Sequence, residues 1–163
     1  MPAAMTAPSW CLLVAVLALA PIAVAETPQE IVDGTQPDAL VRIIQDMGYR
    51  ASLEVDTEGD PLIRSSVGGT PFALVFYGCS EAHDACQVLL FRTGYELERK
   101  VGIDVINRWN ATRLFGRAYL DEVRDPCLEL ALNVSGGVTR AQFESTFEWW
   151  EASVGAFEDE IGV

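Results

Sequence analysis

Histidine is almost absent from this sequence: His83 is the only one in 163 residues. Nucleophilic catalysis of the Ser-His-Asp kind would have to run through that single ring, which lies in a short acidic loop. Neither a nucleophile elbow nor a glycine-rich phosphate loop accompanies it. Basic residues are scarce as well, 11 against 24 acidic, giving a formal net charge of −13. Nucleic acid and anionic membrane surfaces are bound by neutralising phosphates with Lys and Arg, so neither is an expected partner. Carboxylate pairs are plentiful, as in Glu54 with Asp56 and Asp121 with Glu122, but on so acidic a chain they read as solvated surface. The expectation is a protein that is not an enzyme and needs no cofactor.

Also missing is an apolar run long enough to span a bilayer comfortably. The stretch CLLVAVLALAPIAVA at 11–25 is broken by Pro21 and ends in Ala23-Val24-Ala25, a small-x-small cleavage pattern. It reads as a secretory signal peptide, although its leader has no Lys or Arg, with cleavage after Ala25 and a periplasmic or secreted product free of the membrane. Cys11 leaves with it. Residues 26–34, ETPQEIVDG, are expected to form a flexible N-terminal segment, and residues 35–163 a single domain with one core.

Three cysteines remain after cleavage: Cys79, Cys86 and Cys127. Cys79, His83 and Cys86, with Glu81 or Asp84 as an oxygen ligand, would make a metal site one clear ligand short, since the chain has no second histidine. A redox centre would use Cys-x-x-Cys, whereas the spacing here is Cys-x6-Cys. An oxidising compartment favours a staple, closing the polar connection Ser80 to Ala85 between two β-prone runs. The expected arrangement is a Cys79–Cys86 disulfide with Cys127 unpaired, and no bound metal.

Hydrophobic spacing organises the rest. A first helix fits Thr35 to Met47, with Thr35 as cap and Gly48 as terminator. Strands fit Tyr49 to Asp56, Pro61 to Val67 and Thr70 to Tyr77, separated by TEGD and GG turns; in the first, Ala51, Leu53 and Val55 are expected to form a buried face. A fourth strand covers Gln87 to Arg92, a helix residues 102–112 with Ile103, Ile106 and Trp109 on one face, and a hairpin LFGRAYLD with CLELALNV. Thr139 then caps a long last helix whose Phe143, Phe147, Trp150, Val154, Phe157 and Ile161 form one stripe. The pattern predicts an α+β fold, an antiparallel sheet of meander plus C-terminal hairpin packed by three helices. Trp149 lies off the stripe among Glu144, Ser145, Glu148 and Ser153, either half-buried at the helix edge or an exposed aromatic that a partner protein would use.

The order of elements, together with GYRASLEVDTEGDPLI, FYGC, INRWN, GRAYLD and SGGVT, resembles the YbjN family over roughly residues 35–161. That family is described as bacterial sensory transduction regulators, and the resemblance implies a fold similar to type III secretion chaperones. It carries no catalytic residues to this chain, and an export signal departs from a cytoplasmic regulator. The functional expectation is an exported, non-catalytic domain that binds a protein partner of unknown identity, with homodimerisation open. The alternative is a periplasmic sensor of a small molecule or metal, using His83 and nearby acids.

Overall fold

The computed structural model describes residues 30–163, so the signal-like stretch, its cleavage point and Cys11 lie outside the described residues. Ile31–Val32 (β1) pairs antiparallel with Val138–Thr139 (β8), and Val32 is buried. Residues 30–34 therefore depart from the expected flexible segment: Gly34 also bridges to Cys86, so closely that a Cβ on Gly34 would stand 1.9 Å from the Cys86 carbonyl oxygen. The next element, α1, is Pro37–Asp46, starting two residues later than expected. Thr35 does not cap it, because its hydroxyl and N–H both bond the Asp33 carboxylate; Gln36 takes the cap position instead, and Pro37 opens the helix where a missing N–H is no loss.

Among the described residues the main sheet has six antiparallel strands in the order β2-β3-β4-β5-β7-β6. They are β2 (Ala51–Val55), β3 (Pro61–Val67), β4 (Thr70–Tyr77), β5 (Val88–Gly94), β6 (Arg117–Leu120) and β7 (Pro126–Asn133). Gly68-Gly69 joins β3 to β4 with both residues at positive φ, the two-residue turn whose twist suits a hairpin. Two five-residue turns, Asp56 to Asp60 and Asp121 to Asp125, share one device: the first aspartate accepts the N–H groups that follow it. Their fourth positions are both left-handed, at Gly59 and Arg124. Arg124→Gly is therefore expected to stabilise the protein by about 1 kcal/mol, removing the side-chain clash of that conformation, read as a higher urea midpoint at unchanged slope.

Helices cover one face of this sheet. Ile63, Leu74, Phe91 and Leu130 form a buried row across β3, β4, β5 and β7. Against that face lie Leu40, Ile43 and Ile44 of α1, Ile106 and Trp109 of α2 (Ile103–Thr112), and the whole expected stripe of α3 (Arg140–Ile161). Phe72 and Phe91 meet Phe147 and Trp150 at ring-centroid distances of 5.6 to 6.1 Å. Thr139 and Gln142 form a reciprocal capping box at the start of α3. The opposite face carries Arg64, Tyr77, Arg92 and Ala131 and stays open to solvent. Two apolar expectations fail at the margins: Ile103 is exposed, and Leu53 and Val55 of β2 are 37 % and 68 % exposed, because α1 meets β2 at Ala51 and leaves those two positions uncovered.

Candidate partner-binding site

The connection from α2 to β6 is tied down at both ends. Trp109, buried on α2, donates its indole N–H to the Gly116 carbonyl at 2.8 Å. Asn110 clamps Ala118 from both sides, its amide donating to the Ala118 carbonyl and its oxygen accepting the Ala118 N–H, each at 2.9 Å. Gly116 adopts φ 79°, and a Cβ there would lie 3.1 Å from Leu128, so the chain passes close over β7 only because that residue is glycine. Arg113 sits over the Trp109 ring at 5.1 Å.

Between these anchors, Leu114 and Phe115 are pushed outward. They were expected in the strand, but β6 begins only at Arg117, with Trp109 and Asn110 holding the backbone of Gly116 and Ala118 just beyond them. Phe115 stacks on Trp149 of α3 with ring centroids 4.2 Å apart and planes 17° apart. Leu114 is 88 % exposed, Phe115 37 % and Trp149 45 %. With Ala152 and Ala156 they line a shallow cleft of about 320 Å³. Trp149, left open by the sequence as half-buried or exposed, is partly exposed with one ring face on Phe115, and it is joined by two residues that spacing did not single out. A loop of two apolar residues has no period to detect.

The chemistry-bearing side chains are held in structural roles. Cys79 and Cys86 form a disulfide, leaving no thiolate there for a metal; among the described residues no three His, Cys, Asp or Glu side chains converge as ligands. His83 Nδ1 instead meets Asp60 at 2.8 Å, linking the disulfide loop to the β2–β3 turn. Cys127 is free and buried, and burial, the largest influence on it, pushes its thiol up and keeps it protonated. Glu129 is buried on the open sheet face by Arg92, Arg117 and the Tyr119 hydroxyl. Desolvation, and then the bond to Glu129, raise the Tyr119 phenol far above its ordinary value. Of the other acids noted in the sequence, Glu54 pairs with Arg64, Asp56 and Asp121 hold turns, and Asp84 accepts from the Ser80 hydroxyl.

Three helices on one face of a six-stranded antiparallel sheet define an α+β domain. A family model matches residues 36–162, that of YbjN, described as "Putative bacterial sensory transduction regulator", and the chain belongs to that family. Neither the curated proteins nor the solved structures give a match.

Proposed function

We propose that this chain is an exported regulatory domain that acts without catalysis, by binding another protein through Leu114, Phe115 and Trp149. The observation carrying this reading is the Phe115–Trp149 stack, an aromatic pair left at the surface of an acidic protein although neighbouring anchors are rigid. Such pre-ordered aromatic surface is what binding hot spots are made of, because little side-chain freedom is lost on docking. The partner is a protein segment presenting an apolar side chain to the cleft, in keeping with the chaperone-like fold its family resemblance implies. Export is supported by the signal-like stretch at 11–25 and by the Cys79–Cys86 disulfide.

The test is recovery of partner from periplasmic extract on wild-type protein and on Trp149→Ala. Trp149 is half exposed, so the variant is expected to keep the wild-type circular dichroism spectrum while partner recovery falls about tenfold or more. Ile103→Ala, which removes an exposed apolar residue on the surface of α2, should leave recovery unchanged. Equal recovery with and without Trp149 would remove this surface from the account.

A further inference from the structure

Among the described residues two strands edge the main sheet, β2 and β6. The pairing of β2 with β3 fixes which backbone groups face outward. The Asp56 N–H donates to the Asp60 carbonyl at 2.9 Å, and bonded positions alternate along an antiparallel ladder. Ser52 and Glu54 therefore turn their N–H and C=O toward β3, whereas Ala51, Leu53 and Val55 turn theirs away. Pro61 opposite Val55, with no N–H to give, agrees with this parity. So does Gln45, whose side-chain amide reaches from α1 to donate to the outward carbonyl of Ala51 at 3.0 Å.

Exposed edges are ordinarily blunted by Pro, Lys, a bulge or extreme shortness. Ala51–Val55 has no Pro, no Lys and no bulge: its register with β3 is continuous over all five residues. Its Leu53 and Val55 side chains lie on the sheet's core face yet reach solvent. We propose that β2 pairs with the β2 strand of a second copy of this chain, antiparallel about a two-fold axis at Leu53, joining two six-stranded sheets into one.

The charges on the strand favour that register. Leu53 faces the partner's Leu53, Ala51 faces the partner's Val55, Ser52 faces the partner's Glu54 and Arg50 faces the partner's Asp56. No like charges oppose one another, and Arg50 meets an opposite charge at each end of the ladder. The outward N–H and C=O of Leu53 and Val55 gain partners, and the partner's Val55 N–H takes the place of Gln45 on Ala51. Moving the axis to Glu54 would set Glu54 against the partner's Glu54. Moving it to Ser52 would leave Val55 outside the pairing of the two strands. Three apolar side chains from each copy then form a strip beneath the joined edges.

Sedimentation equilibrium on the oxidised, mature chain tests the pairing. A reversible dimer is expected, weakened about fivefold by Arg50→Glu and tightened about fivefold by Ser52→Lys, which adds an ion pair to the partner's Glu54 on each side of the axis. Leu53→Cys should give a covalent dimer on oxidation, since directly opposed bonded positions have Cα atoms about 5.5 Å apart, within disulfide reach. Ser52→Cys should not. All three positions are exposed, so folding is preserved. A chain that stays monomeric at millimolar concentration, a dimer indifferent to both charge changes, or cross-linking by Ser52→Cys in place of Leu53→Cys overturns the proposal.

Discussion

Trp150→Ala is expected to lower stability by about 4 kcal/mol, among the larger single losses open to this fold. Trp150 is fully buried at the middle of α3, packed on Phe72 and Phe91 of the sheet. Truncation would open a cavity between helix and sheet that rigid neighbours on both sides cannot fill. Against the 5–15 kcal/mol typical of a domain, such a loss brings the chain near the edge of folding at 37 °C. Trp150→Phe should be far milder, about 1–2 kcal/mol, because the Trp150 indole N–H has no acceptor among the described residues and its removal breaks no hydrogen bond. Trp109→Phe should cost about 1 kcal/mol more than Trp150→Phe, since it strips the Gly116 carbonyl of its donor. Urea unfolding followed by far-UV circular dichroism gives all three values, and equal losses for Trp150→Phe and Trp150→Ala would contradict the packing account.

Removing the Cys79–Cys86 disulfide, as Cys79→Ser with Cys86→Ser, is expected to cost about 2.5 kcal/mol for a loop of about eight residues. The pairing can be read beforehand from a non-reduced tryptic digest, because Arg64 and Arg92 enclose both cysteines in one peptide. That peptide should weigh two hydrogens less than its reduced form while Cys127 alkylates only after unfolding. The loss should extend beyond the loop. Cys86 donates its N–H to Gly34 at 3.3 Å, and Gly34 anchors β1, so hydrogen exchange should quicken at Ile31 and Val32 as well as at 80–85. Exchange confined to the loop would separate the staple from the N-terminal strand.

How far the sequence reveals these features depends on whether their physics is local. The α3 stripe, its Thr139 cap, the Gly-Gly turn and the closing of Cys79 on Cys86 each depend on residues within a few turns of one another, and each appears in the structure. β1 and β8 escaped notice because two-residue strands carry no period and their partners lie about a hundred residues apart. Leu53 and Val55 show why alternation is an incomplete guide. It reports which face a side chain takes but not whether the covering layer reaches that far, and here the helices stop short. Thr35 was a sound cap by residue type, yet Asp33 two positions earlier outcompeted the helix for its hydroxyl. Of the candidate site, Trp149 was legible as the residue off the stripe. Leu114 and Phe115 were not, since their exposure follows from how Trp109 and Asn110, on the preceding helix, hold Gly116 and Ala118 just beyond them.

The bridge from Gly34 to Cys86 also bears on the order in which the chain can assemble. An exported chain is delivered N-terminus first, so Ile31 waits while about a hundred further residues follow before Thr139, its partner, arrives. Closing so long a loop unaided would be entropically unfavourable. Gly34 shortens the search, because its contact becomes available as soon as Cys86 has emerged. Val134 later docks its N–H on the Gln87 carbonyl at 2.9 Å, immediately beside that anchor. Only the few residues from Val134 to Val138 on one side, and from Val32 to Gly34 on the other, then separate the two short strands. A closure that spans most of the chain is thereby reduced to a local step, with the staple at Cys86 acting as its rendezvous point.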